Sequence, residues 1–382
     1  MANGMVSKTV FRLIAAAALS LATFGQHAPR MTPVPGDALE LVTGQVRSVD
    51  TKAGRDAKAQ LLTHARDSYN LRSAARGYDL KVTFQVNSGG QTEYDGTWEM
   101  EDVFDPRQGL RWTAKAASGY TVTQISSKSG YYREGTSNTV PLRLQEARAA
   151  LFDPIPPAAS VANGLIRTST ATFKGVPLTC VLLSSRGSTA TGTAGRSWEE
   201  TEACIDPRSG LLQVQSQVPG RYYSYDYSNA PQLGGHILPR KVTVTEAGKV
   251  VSEISVESLK RLPAADSALF VPTAEMKQGE PAIQMAGAQK LLLDSALGPL
   301  ASSVTSRPVC VFGLVTSSGQ LVEAHSLQPS DPNSPAAVDA AKRMNFFSPT
   351  RPGARHQQHF VFIIERFPAS QAVEEREAGA GR

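Results

Sequence analysis

The chain has 382 residues, 41% hydrophobic and 19% charged, with a formal net charge of +5. That length can bury the cores of two domains. Setting aside Lys8 and Arg12 near the start leaves +3 with no run of like charge, which excludes the basic stripe of a nucleic-acid binder.

Residues 1–25 have the pattern of an export signal. Lys8 and Arg12 supply the positive region, and Leu13 to Gly25 supply the apolar one. The apolar run is short for a membrane-spanning helix, which needs roughly 20 apolar residues. Two readings stay open: cleavage after Gly25 or Ala28, or retention as an inner-membrane anchor. No cysteine flanks the cleavage positions, which argues against a lipid-anchored start. Either reading places the folded chain in an exported, oxidising compartment, most simply the periplasm.

Helical period appears at Ala57 to Tyr69, where Ala57, Leu61, Leu62, Ala65 and Tyr69 share a face. From Tyr78 the period changes to two. Asp79 to Val86 alternates polar and apolar, as a half-buried antiparallel strand does. Strands are expected at 94–104, 109–114, 120–126 and 131–132, then a helix over Pro141 to Phe152. Further strands are expected at 166–173, 178–184, 198–205, 211–217, 222–227, 237–245 and 250–259. Strands at this close spacing, with two helical inserts, predict one large curved antiparallel sheet. The segment Asp105-Pro106-Arg107-Gln108-Gly109 is echoed by Asp206-Pro207-Arg208-Ser209-Gly210, each between strands that follow a Trp-Glu pair. The echo is read as one good hairpin used twice, rather than as two binding loops.

This arrangement over residues 37–276 resembles the LolA/LolB-like fold of periplasmic lipoprotein carriers. The shared features are the first helix, the run of strands, the insert Pro141 to Phe152, more strands and the closing Ala268-Leu269-Phe270-x-Pro272. The resemblance implies a half-barrel whose concave face, covered by helices, holds acyl chains. A lipid or acyl ligand is the partner it suggests.

Of the three cysteines, Cys180 and Cys204 fall in runs that read as neighbouring strands of a hairpin. They are read either as a cross-strand disulfide or as two separate buried thiols. Cys310 is left over as an inert core residue. Residues 282–297 carry helical period (Ile283, Ala286, Leu291, Leu292) and are expected to form a helix linking two domains.

The chain then reads strand, turn, strand, helix, strand. Val309 to Val315 is apolar and β-branched, and Thr316 to Gln320 supplies the turn. Leu321 to Leu327 follows, Ser334 and Pro335 open a helix, and Phe360 to Ile364 is the last strand. This ββαβ order over 298–367 resembles the C-terminal domain of TonB, the periplasmic energy transducer. The resemblance is carried by the turn at Ser318-Gly319, the Ala-rich helix Ala336 to Arg343, Phe347-x-Pro349 and the closing strand to Phe367. It implies an adaptor that takes an envelope protein partner, such as an outer-membrane receptor, by strand pairing. Phe360, Val361, Phe362, Ile363 and Ile364 would bind that partner if the strand lies at an open edge; the alternative is that it is buried. Residues 368–382 are charged and Ala/Gly-rich, and a disordered tail is expected.

No phosphate loop, nucleophile elbow or metal-protease motif is present. Glu99, Glu101, Glu199, Glu200 and Glu202 are read as solvating the outer face of the sheet. His325, His356 and His359 are read as surface or strand-end residues, not metal ligands. No enzyme activity, metal or cofactor is expected. The overall expectation is an α+β chain: a large curved antiparallel sheet followed by a small ββαβ domain, acting as a transducer or adaptor, or else as a lipid or lipoprotein carrier.

Overall fold

A computed structural model describes residues 41–74, 76–88, 94–137, 139–156, 161–162, 164–184, 196–262, 267–279, 289–293, 306–316, 318–344, 346 and 358–368. The expected signal at 1–25 and the tail from 369 lie outside them. So do His356 and the Phe347-x-Pro349 step.

Two sheets organise the chain. The first has 15 strands and is open, its end strands unpaired with each other. It begins with β1 (Leu41–Thr43) and β2 (Arg47–Ser48), followed by α1 (Lys52–Tyr69). Next come β3 (Tyr78–Val86), β4 (Gly96–Asp105), β5 (Gly109–Ala116), β6 (Thr121–Ser127), β7 (Gly130–Gly135) and α2 (Leu142–Phe152). It continues through β8 (Leu165–Phe173), β9 (Val176–Ser184), β10 (Thr201–Ile205), β11 (Leu212–Val218) and β12 (Arg221–Asp226). After the small hairpin of β13 (Gln232–Leu233) and β14 (His236–Ile237) it closes with β15 (Lys241–Glu246), β16 (Lys249–Arg261) and β17 (Lys277–Gly279). The strand order is 1-8-9-10-11-12-15-16-3-4-5-6-7-17, with β2 beside β8.

Alternation explains how the sheet faces its core. Tyr78, Leu80, Val82, Phe84 and Val86 of β3 are all buried, while the residues between them are not. This inner face packs against Leu62, Ala65 and Tyr69 of α1 and Leu144, Ala147 and Leu151 of α2. Thr51 starts α1 by accepting the Gly54 N–H at 3.1 Å. Unlike α1, α2 also buries a second side, formed by Leu142, Arg143 and Glu146. It is therefore a helix packed from two directions, which is why its apolar residues do not form a single stripe.

The repeated Asp-Pro-Arg segments are indeed alike as hairpins. Asp105 Oδ1 accepts the backbone N–H groups of Arg107 and Gln108, and Asp206 Oδ1 accepts that of Arg208. Gly109 sits at φ +120°, where an added Cβ would lie 2.1 Å from the carbonyl oxygen of Ser126.

Cys180 and Cys204 are register partners across β9 and β10 and form a disulfide. It closes a loop of sequence separation 24. A crosslink of that span removes conformational freedom from the unfolded chain. Cys204→Ser is expected to lower the unfolding free energy by about 3 kcal/mol, read as a lower urea midpoint. The same drop should follow reduction of the unsubstituted chain. Cys310 is free and buried.

The second sheet has four strands in the order β18 (Gln289–Leu293), β21 (His359–Pro368), β19 (Ser306–Val315) and β20 (Leu321–Ser326). α3 (Ser334–Lys342) covers one face. The expected strand–strand–helix–strand order is present, with two corrections.

First, residues 289–293 are a strand, not part of a linking helix. Leu291 and Leu292 pair in parallel with Ile363 and Ile364. The remainder of the expected helix, 282–288 and 294–297, lies outside the described residues.

Second, Val361–Ile364 is not at an edge. β21 pairs with β19 on one side over its whole length and with β18 on the other from Val361 to Glu365. Its faces are filled as well. Val361 and Ile363 pack with Ala337 and Ala341 of α3, and Phe362 and Ile364 pack toward the first sheet. Val361, Phe362, Ile363 and Ile364 are fully buried. Among the described residues Val361 to Ile364 pair on both sides and leave no free ladder for another chain, so the partner binding expected of those four does not hold, while Phe360 pairs with Leu314 alone.

The two sheets meet through Phe312, Leu314, Phe362 and Ile364 on one side and Leu142, Trp198 and Val218 on the other. The second sheet thus closes the end of the first where α2 begins. Gln358 joins the two directly: its side chain accepts the Leu142 N–H, an orphan donor at the start of α2, at 2.9 Å. Gln145 donates to the Gln358 carbonyl at 2.9 Å.

Candidate ligand-binding cleft

Where α2, the inner face and the start of β21 converge, a cleft of about 410 Å³ remains. Leu142, Ala149, Ala150 and Phe152 of α2 give it an apolar wall, with Phe360 opposite. Arg72, Arg148, Gln145, Gln215, Gln217, Gln358 and His359 supply polar groups. Gln215 and Tyr223 face the cleft as register partners on β11 and β12. Of the residues expected to bind a partner, Phe360 alone reaches the cleft.

Asp102, wholly buried on β4, anchors the polar end. Its Oδ1 accepts the Tyr78 hydroxyl at 2.8 Å, and its Oδ2 accepts Arg148 Nη2 at 3.0 Å and lies 3.5 Å from Arg72 Nη2. Arg148 lies over the ring of Trp112, 4.1 Å from its centre, and Arg72 over Phe152 at 4.8 Å. Burial pulls the Arg148 pKa down, with Arg72 adding to the effect and Asp102 opposing it.

Behind the cleft lies a buried ionic clasp between the two sheets. Arg143 Nη1 donates to Glu246 Oε1 at 2.9 Å and to Glu146 Oε2 at 3.0 Å, and its Nη2 lies 3.5 Å from Glu323. Arg221 Nε donates to Glu246 Oε1 at 2.8 Å, its Nη2 meets Glu146, and its Nη1 meets the Tyr223 hydroxyl. His325 Nε2 completes the set at 2.9 Å from Glu246 Oε2. Three cationic side chains thus face three carboxylates. Both guanidiniums also lie 5.2 Å from the centre of the Phe312 ring.

Burial disfavours charge on Arg143 and Arg221, yet the surrounding carboxylates outweigh it and raise both pKa values. Burial likewise opposes the charge on Glu246, but Arg143, Arg221 and the His325 hydrogen bond hold its pKa well below the usual carboxylate range. Glu246, Glu323 and His325 offer ligand atoms within 4.8 Å of one another. Both carboxylates are already engaged by arginine, so the group is an ion-pair cluster rather than a vacant metal site.

For His325, burial lowers the pKa, but the hydrogen bonds to Glu246 and Glu323 prevail and bring it up to about 9. A histidine raised in the folded state stabilises fully below its unfolded value, near 6.5. That contribution is lost as pH rises toward 9. Stability should therefore fall between pH 6.5 and 9, and His325→Gln should flatten the slope. Urea unfolding at intervals of pH checks this, and an unchanged slope in the variant would refute it.

The paired carboxylates divide. Glu99 and Glu101 sit on the outer face, ion-paired with Lys115 at 2.8 Å and Lys81 at 3.2 Å. Glu200 and Glu202 are instead buried, held by Arg167 at 2.6 Å and Arg196 at 3.0 Å, so the solvating role expected of them is corrected. Lys290 of β18 adds a contact between the sheets, donating to the Glu199 carbonyl at 2.7 Å.

Sequence reading found none of Arg72, Asp102, Arg143, Arg148, Arg221 or Glu246. One signal was available. Arg143 lies between Leu142 and Leu144 in a helix whose apolar residues go round it, and Asp102 stands beside the alternating run of β4. Charges in such positions are buried and require partners.

No family model matches this chain, and no curated protein matches it. Solved structures similar to it include a LolA superfamily protein from Nitrosomonas europaea, with 10% identity over 56% of this chain and 96% of that one and a TM-score of 0.35. Another is a putative outer membrane lipoprotein-sorting protein domain from Vibrio parahaemolyticus, at 8% identity, 55% and 97% coverage and a TM-score of 0.32. A third is the MucA/MucB complex of Pseudomonas aeruginosa, at 12%, 59%, 64% and 0.27. At these identities and TM-scores none of them bears on function. None of these three lends support to the likeness to TonB.

Proposed function

We propose that this chain is a non-enzymatic cell-envelope protein that binds an acyl-bearing ligand, a lipid or lipoprotein, in the cleft between α2 and the inner face of the first sheet. The observation that carries this reading is the cleft itself. Its volume, about 410 Å³, lies in the range of small-molecule sites, and its apolar wall is fixed by a helix packed on both sides. A flexible apolar chain gains free energy by leaving water for such a wall.

Placement in the periplasm fits the N-terminal pattern of Lys8, Arg12 and Leu13 to Gly25, and it fits a disulfide, which persists in oxidising compartments. A cut or a kept N-terminal segment puts the folded part on the same side of the inner membrane. Recruitment of a partner by strand addition at Phe360–Ile364 is not carried forward, because from Val361 to Ile364 both sides of that strand are already paired. A hydrolytic reading gains nothing from Glu99, Glu101, Glu200 or Glu202, none of which lines the cleft.

Ala149 is an exposed residue of the cleft wall, so Ala149→Trp fills the cleft without disturbing the core. Binding of a fluorescent acyl probe should weaken at least about tenfold, or ~1.4 kcal/mol. Undiminished binding would overturn the proposal.

A further inference from the structure

We infer that the ligand of the cleft is an amphiphile with an anionic head, a carboxylate or phosphate, seated against Arg72 and Arg148. This rests on the reading that the cleft holds an acyl ligand and adds the chemistry of its polar end.

Charge counting is the first reason. Arg72 and Arg148 both line the cleft, and both turn a guanidinium nitrogen to the same atom, Asp102 Oδ2. One carboxylate therefore serves two cations. Asp153 is the other acid at this end of the wall, but it lies 3.7 Å from a third cation, Arg66. Glu146, further along, belongs to the clasp, where three carboxylates already meet Arg143, Arg221 and protonated His325. Among the described residues the polar end keeps one positive charge.

Geometry is the second reason. The rings of Trp112 and Phe152 cover a face of each guanidinium, Asp102 takes Nη2 of both and the Tyr78 hydroxyl takes Arg72 Nε at 3.4 Å, so that among the described residues only the two Nη1 groups are left for a ligand in the cleft. An anion placed there would form charge-assisted hydrogen bonds and relieve the repulsion between two neighbouring cations. Phe152 belongs both to the Arg72 contact and to the apolar wall, so a chain leaving the head runs directly along the wall toward Phe360.

The test is displacement of an acyl probe from the folded chain by dodecanoate, dodecyl phosphate, dodecanol and inorganic phosphate. Dodecanoate and dodecyl phosphate should bind at least about tenfold more tightly than dodecanol, and inorganic phosphate should not compete. Gln215→Glu sets a carboxylate on the cleft wall while leaving Asp102 and its partners intact. It should weaken both anionic ligands about tenfold more than it weakens dodecanol. Equal affinity for dodecanol and dodecanoate would overturn the anionic head while leaving an acyl ligand in place. So would an unchanged affinity for dodecanoate in the variant. Competition by inorganic phosphate as strong as that by dodecyl phosphate would overturn the amphiphile. Failure of every ligand to bind would remove both this inference and the acyl reading.

Discussion

Replacing Glu246 with glutamine is expected to lower the unfolding free energy by about 3–5 kcal/mol, although the side chain barely changes shape. Glu246 is the hub of the clasp, accepting from Arg143, Arg221 and His325. The residue is buried, so water cannot take its place. With the carboxylate gone, three cations would remain against two carboxylates in a low-dielectric site. A buried ion cluster is a weak source of net stability, but breaking it is costly because it strands a charge. Chemical unfolding measures the effect. A loss below about 1 kcal/mol, the scale of exposed ion pairs, would show that the clasp is wetter or less cooperative than described.

Phe312→Ala is expected to cost about 3–5 kcal/mol as well, for a different reason. Phe312 is fully buried at the centre of the contact between the sheets. Its removal would leave a cavity beside Phe360 and Phe362, and both clasp guanidiniums would lose the ring beneath them. The sheets should then unfold in two steps, because much of what joins them is gone. Unfolding followed by fluorescence and by far-ultraviolet circular dichroism distinguishes the outcomes. Coincident, unshifted transitions would contradict a packed interface at Phe312.

The elements of this fold were largely legible in the sequence because they obey local rules. Period-two alternation in Tyr78–Val86 and the Asp-Pro-Arg turns specify strands and hairpins without reference to the remainder of the chain. The disulfide was half legible, since adjacent strands can be guessed but register cannot. Gln289–Leu293 misled because a short apolar run suits a helix or a strand, and a distant partner, β21, decides between them. The same limit governed Phe360–Ile364. An apolar strand shows that its faces are buried, but its own residues do not reveal how many neighbours it has. The cleft and clasp were illegible for a further reason: their members come from helix α2, the segment holding Arg72, strands β4, β11, β12 and β15 of the first sheet, and β20 and β21 of the second, and only the docking of the sheets brings them together.

The central claim is that ligand enters between α2 and the inner face, beneath the start of β21. Photo-crosslinking with a diazirine-bearing fatty acid, followed by peptide mapping, tests it most directly. The account predicts label on the peptides carrying Ala149–Phe152 and Gln358–Phe360, suppressed by Ala149→Trp. Label confined to the outer face around Glu99 and Lys115, or unaffected by that substitution, would contradict it.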